Sequence, residues 1–379
     1  MKTTLQILAM CSVLAVSSLW ASSTNAAPPI ESVIAAAEQK EFSGVVLVGD
    51  DRTVLFEKAI GFADKSKKLP HAIDMTWRWA SVSKQVTAVI AAQLVAEGTL
   101  SLDKTVADYL STKQFGGRDR NRITIRQLLQ HTSGLPNPDD APLGAVPPPD
   151  GMSSFYRTWI SSDLVHANSA GVFCAGIPKR TPGEQFEYNN CDYLVLGAVI
   201  ERVTGKSYAQ VLATRIAQPL KLSTLAMASS ENAKGKTVKG YLNATQSEPT
   251  FALATFGAAG AMIGSPRDLL ALDRTLMGES LLSAEMKREF WKGEPKLGYA
   301  ALGVWSFPAP LKGCNEPVDL IERRGEIGGV QVRNIIAPKM RKAIVVFVNR
   351  ADWEFGEIWQ GSGFSHDLLS AALCSATAR

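Results

Sequence analysis

The chain is predicted to fold as an α/β layer built from both termini and holding a mostly helical middle. β-Rich runs occupy 43–61 and 318–349, helical periodicity dominates between them, and no internal repeat interrupts the pattern. Ser43–Gly49 (SGVVLVG) and Thr53–Gly61 (TVLFEKAIG), joined by Asp50-Asp51-Arg52, read as a hairpin. From Ser81 onward Val82, Val86, Val89, Ile90 and Leu94 recur at three- and four-residue spacing, predicting a helix that stops at Gly98. A further helix is expected at Ile125–Gln130. Leu135–Gly151 carries six prolines and reads as loop. Tyr193–Thr204, Tyr208–Ala217 and Pro266–Met277 are again helical in pattern. Strands return at Val318–Glu322, Val330–Ala337 and Lys342–Asn349, before a last helix near Phe364–Leu373.

With 379 residues, 46% hydrophobic and 20% charged, the composition excludes a disordered chain, a collagen-like fibre and a disulfide-dense miniprotein. The length fits two domains or one large domain with an insertion. Lys+Arg 40 against Asp+Glu 36 gives a net +4 without long runs of one sign, which argues against a nucleic-acid partner or a polybasic membrane anchor.

The N-terminus reads as a secretory signal peptide over 1–26: Lys2, an apolar Leu5–Trp20, then the small and polar Ser22–Ala27. Gln6, Ser12, Ser17 and Ser18 dilute the apolar stretch too far for a stable membrane span. The expected cut follows Ala26, and the expected location is periplasmic or secreted. Removing Cys11 with the leader leaves Cys174, Cys191, Cys314 and Cys374, an even number that permits disulfides in any of three full connectivities. No CxxC pair or HExxH is present. His71, His131, His166 and His366 are far apart in sequence, so no metal or other cofactor is expected. Each histidine reads as a surface or locally hydrogen-bonded residue.

Ser81-Val82-Ser83-Lys84 sets a hydroxyl and an amine three residues apart, on one face of a helix opening. A serine hydroxyl is a weak nucleophile at neutral pH. It needs a neighbouring amine to take its proton or a cation to stabilise its alkoxide, and a helix N-terminus adds N–H groups aimed at the same place. Ser101-Leu102-Asp103-Lys104 matches the same spacing but follows Gly98 in a connecting stretch, where it reads as a turn or cap. Tyr188-Asn189-Asn190 stands just before the apolar helix at Tyr193. A tyrosine serves as a base only if its pKa falls well below 10, and a nearby lysine is the usual means.

On these residues the chain resembles the serine β-lactamase-like, penicillin-recognising superfamily, most closely its class C-like branch. The resemblance runs through Thr76–Leu110, Ile123–Pro136 (ITIRQLLQHTSGLP), Thr181–Gly205 and Gly257–Leu270, in the family's order. It implies an antiparallel sheet flanked by helices and built from both termini (27–82 and 286–379), an inserted mostly helical domain (83–285), and an active site in the cleft between. It also implies Ser81 as acylated nucleophile, Lys84 as its activating partner, Tyr188 as base and Asn190 as the substrate-orienting amide.

The family's third motif, Lys-Thr-Gly or His-Thr-Gly on a strand, is matched here to Glu326-Ile327-Gly328. Glu326 would then reverse the usual charge, with Gly328 and Gly329 lining the substrate site and the N–H groups of Ser81 and Gly329 forming the oxyanion hole. A second reading points Glu326 to solvent, with the motif one residue off. Arg323, Arg324 or Arg333 could restore the positive charge.

No Gly-x-Ser-x-Gly elbow occurs, and Ile200 and Ser230 stand where phosphate-binding loops ending at Ser207 and Thr237 need glycine. Two functions remain: a serine hydrolase acting through an acyl-enzyme on a small ester, amide or peptide, or a catalytically impaired binding protein of the same fold. The sequence leaves open whether the substrate is a β-lactam, an ester, an amide or a D-amino-acid peptide. Oligomeric state stays open too.

Overall fold

Strands β1 (Gly44–Asp50) and β2 (Val54–Ile60) form the expected hairpin, and four strands from the other end of the chain join it. These are β3 (Trp305–Ala309), β4 (Val318–Ile327), β5 (Val330–Ala337) and β6 (Lys342–Val348). The sheet order is β2-β1-β6-β5-β4-β3, and every neighbouring pair is antiparallel. The computed structural model describes residues 26–138, 170–228 and 237–375. The leader expected over 1–26 therefore lies outside the described residues but for Ala26, as does 139–151 of the proline-rich stretch.

Both faces of the sheet are covered, which explains why its central strands are apolar throughout. On β1, Val45 and Leu47 point to one core while Val46 and Val48 point to the other, as the two-residue side-chain period requires. One face carries α1 (Ile30–Gln39) and α5 (Phe364–Cys374). The other carries α2 (Ser83–Ala96), on which α3 (Asn190–Thr204) packs, and α4 (Pro266–Met277). Helix α1, strand β3 and the short helix Ala284–Phe290 were not among the expected elements. Strand β4 runs five residues beyond the expected Glu322 to Ile327, and this extension carries part of the site.

Helix α2 shows an apolar stripe in sequence, yet Ser83, Lys84, Gln85 and Thr87 are buried as well, so it is enclosed on all sides. Helix α4 packs on β1 and β6, so it belongs with the sheet rather than with the helical region that the expected boundary at 285/286 assigns it to. Its sequence signals are strong: the Ser265 side chain accepts from Asp268 N–H, and Pro266 opens the first turn. Two disulfides, Cys174–Cys191 and Cys314–Cys374, settle which of the three connectivities forms.

Candidate active site

Ser81 sits in a single 3₁₀ turn, Ala80–Val82, at the entry to α2. The turn is fixed from three sides. Trp79 N–H donates to Met262 O at 2.9 Å, and Met262 N–H donates to Ser83 Oγ at 3.2 Å. On the third side Arg323 Nε donates to the Ser81 carbonyl at 2.9 Å. Ala80 is held at φ 48°, a left-handed conformation that costs a non-glycine residue ~1–2 kcal/mol. That strain sits immediately before the nucleophile candidate.

Lys84 lies one helical turn on, fully buried, and its ammonium places its three protons on three acceptors. These are Ser81 Oγ at 3.0 Å, Asn190 Oδ1 at 2.7 Å and the Ala259 carbonyl at 2.8 Å. Tyr188 OH donates to the same Ser81 Oγ at 2.6 Å, and Arg323 Nη2 donates to the Tyr188 oxygen at 3.1 Å. Ser81, Lys84, Tyr188 and Asn190, separated by up to 109 positions in the chain, thus meet at one point. Ser101 does not join them. Its N–H donates to Tyr109 OH in a turn.

The charges explain the titration of the pair. Burial lowers the Lys84 ammonium to about 8, against the opposing pull of Tyr188. Burial alone would raise the Tyr188 phenol, but the two cations Lys84 and Arg323 outweigh it and bring it down to about 8. Lys84 Nζ stands 4.9 Å from the centre of the Tyr188 ring, and the Arg323 guanidinium 5.3 Å.

The third-motif assignment is corrected. Arg323, not Glu326, supplies the strand's cation to the site, so the motif reads Arg323-Arg324-Gly325, three residues upstream of the expected position. Gly325 is the close-approach residue: a Cβ there would lie 2.6 Å from Trp79 O and 3.2 Å from Ser81 N. Strand alternation then puts Glu322, Arg324 and Glu326 on the opposite face. There Glu322 pairs with both Arg324 and Arg333, and Arg324 also with Glu357. Glu326 therefore does not oppose a substrate charge in the cleft.

Gly328 and Gly329 form the two-residue loop between β4 and β5, with Gly328 at φ 56°. Gly329 N–H donates to Glu248 Oε2 at 2.7 Å, so it is not an oxyanion donor, and Gly328 lies in the same turn. Glu248 is itself held by Arg78.

Beneath Tyr188 lies a layer that the sequence did not disclose. His131 Nδ1 is 2.8 Å from Asp192 Oδ2, Ser133 Oγ donates to the other carboxyl oxygen, and the His131 ring packs 4.7 Å from that of Tyr188. Burial, reinforced by the Arg323 and Lys84 charges, holds His131 neutral, while burial pushes the Asp192 carboxyl well up. His131 is neither surface nor locally bonded, contrary to expectation, and neither is His71, which bonds Ser43 in the core. No sequence spacing links His131 to Asp192. Arg323 was within reach, because a cation two residues before a glycine on a strand repeats the Lys-Thr-Gly pattern.

A serine met by lysine and tyrosine at a helix entry, beside a strand carrying a cation and a close-packed glycine, defines a penicillin-recognising type of serine hydrolase. The chain belongs to the beta-lactamase family, whose model matches residues 30–360. It is 29% identical over 192 residues to penicillin-binding protein 4* of Bacillus subtilis, a match covering 48% of this chain and 37% of that one. The chain thus spans about a third of the length of the curated relatives it matches. Among solved structures it is similar to a D-stereospecific amidohydrolase from Streptomyces sp., with TM-score 0.67, 25% identity and coverage of 91% and 98% of the two chains. It also shares its fold with the D-amino acid amidase of Ochrobactrum anthropi SV3, with TM-score 0.71, 20% identity and coverage of 90% and 97%. No helix among the described residues is long and apolar enough to cross a membrane.

Proposed function

We propose that the protein hydrolyses a small ester, amide or peptide through an acyl-enzyme on Ser81. The observation that carries this is the convergence of Lys84 Nζ at 3.0 Å and Tyr188 OH at 2.6 Å on the Ser81 hydroxyl. Because Lys84 has all three protons on acceptors, it serves as the electrostatic partner and Tyr188 as the base. With Tyr188 as the phenolate, Ser81 Oγ bonds to the substrate carbonyl carbon while Tyr188 takes its proton and returns it to the departing oxygen or nitrogen. Water then cleaves the acyl-enzyme and restores the serine proton.

Asn190, its Oδ1 engaged by Lys84, turns its amide N–H₂ toward a substrate carbonyl. The oxyanion is bound by the N–H of Ser81 and that of Glu326. Ile327 and Val330 close the two-residue loop, so Glu326 N–H points away from β5, along the open edge of β4 beyond Glu322, its last residue paired with β3. Arg323 supplies a cation that a substrate carboxylate can pair with, so a penicillin is a suitable acylating probe.

The test is covalent labelling. A fluorescent phosphonate or penicillin should give one adduct on the Ser81 peptide by mass spectrometry, absent in Ser81→Ala. An adduct on Ser101, or unchanged turnover in Ser81→Ala, overturns the reading.

The same proposal includes export. Two disulfides suit an oxidising compartment, and the leader-like 1–26 suits removal. N-terminal sequencing of the protein recovered from its native cell should begin at Ala27.

A further inference from the structure

A cavity of about 540 Å³ opens beside the site, walled by Phe186, Leu297 and Trp305, with Glu184 and Lys296 among its other lining residues. It is within the size range of small-molecule sites, and it shares a wall with the catalytic group. The Trp305 ring stacks on Tyr188 at 6.4 Å and 18°, lies 5.1 Å from the Arg323 guanidinium, and meets Phe186 at 6.3 Å. None of these residues holds Ser81, Lys84 or the backbone donors.

We propose that this cavity is the leaving-group subsite, and that it selects esters or amides whose departing alcohol or amine carries an uncharged aromatic or bulky apolar group. The proposal rests on the acyl-enzyme reading above. In acylation the bond from Ser81 Oγ to the carbonyl carbon forms and the bond from that carbon to the ester oxygen or amide nitrogen breaks. The serine proton passes through Tyr188 to the departing atom. That atom must come within hydrogen-bond reach of Tyr188 OH, so whatever it carries lies on the Tyr188 side, where the cavity opens. The acyl portion stays with the Ser81 and Glu326 N–H groups. Two aromatic walls and a leucine reward a ring in edge or offset contact. Glu184 and Lys296 are both exposed and of opposite sign, so the cavity has no net charge with which to select an ion.

The experiment compares two esters of the same acid, one of ethanol and one of 2-phenylethanol, whose alcohols are of similar acidity. Both leave the same acyl group on Ser81, so deacylation is common and the kcat/KM ratio reports the leaving-group side alone. The phenylethyl ester should be favoured about 10-fold or more in the parent. The ratio should fall toward one in Phe186→Ala and in Leu297→Ala, two variants on separate segments. A general loss of activity in either variant cancels in the ratio. A parent ratio near one with Ser81 acylated overturns the proposal, as does a ratio that neither variant changes. So does a series with one leaving group and varied acyl groups in which the variants alter selectivity instead. Absence of any acyl-Ser81 is a different result: it overturns the hydrolase reading, and the subsite falls with it.

Discussion

Arg323 and Ser81 are joined by a hydrogen bond from guanidinium to backbone: Arg323 Nε donates to the Ser81 carbonyl at 2.9 Å, while Nη2 of the same group donates to Tyr188 OH at 3.1 Å. One planar fork therefore orients the peptide that carries the nucleophile and places a positive charge on the base. A lysine offers a point charge on a flexible stem and cannot span both partners in that way.

Arg323→Lys should lower kcat/KM by about 10-fold and Arg323→Gln by about 100-fold, in the range of lost preorganised electrostatics. Arg323→Gln also removes one of the two cations that hold Tyr188 down, so the rising limb of the pH–kcat/KM profile should move to higher pH. A limb that stays in place would mean that the arginine only packs.

Lys84 is lowered to about 8 by burial and Tyr188, against its burial, to about 8 by the Lys84 and Arg323 charges, and the two titrate as a pair. The reactive form has lost one proton from that pair. kcat/KM should therefore climb with pH toward about 8 as the first proton leaves and fall again once the second is lost. Tyr188→Phe should slow acylation by about 100-fold or more in a single-turnover measurement. If it acylates as fast as the parent, Lys84 is the base.

Gly325→Ala places a methyl 2.6 Å from Trp79 O and 3.2 Å from Ser81 N, both backbone atoms with no side-chain freedom to yield. Strand and nucleophile turn must separate. Labelling of Ser81 should drop about 100-fold, at a stability cost of ~1–3 kcal/mol read by denaturant melts. Normal labelling would show that the two segments separate freely.

Asp273 on α4 is buried with Gln85 and Asn334, and burial raises its carboxyl to about 8 although both neighbours donate to it. Asp273 Oδ2 and Asn334 Oδ1 lack partners, and a proton on the acid supplies a donor for this trio. The folded state binds that proton more tightly than the unfolded chain, whose Asp titrates near 4. This contribution to stability is present below about pH 4 and is lost as pH rises through about 8. Asp273→Asn should flatten that fall and stabilise the protein at pH 8 by ~2 kcal/mol or more, as thermal melts across pH will read. An unchanged slope would assign the pH dependence to other groups.

The periodicity of α2 and α4, the β1–β2 hairpin and the closing strands were legible because each depends on neighbours a few residues away. Strand β3 was not. Trp305–Ala309 is an edge strand containing Pro308, partly exposed and without clean alternation, and only its pairing with β4 makes it a strand. Helix α1 follows two prolines and is short. Its apolar positions Val33, Ile34 and Ala37 gain meaning only against α5.

For the site, the sequence alone determined that Ser81 and Lys84 share a helix face and that Tyr188 and Asn190 stand at the start of another helix, since both are local spacings. Tertiary structure decided the rest. Which cation reaches Tyr188 depends on which face of β4 points to α2, and a strand's alternation fixes relative sides without fixing the absolute one. A partner 61 positions away has no periodicity to announce it, so the His131–Asp192 layer under Tyr188 emerged only from the fold. The Glu248 carboxylate that occupies Gly329 N–H, and the Trp305 wall shared by Tyr188 and the neighbouring cavity, are likewise contacts between distant segments. Such contacts follow from how layers pack, and no stretch of sequence encodes them by itself.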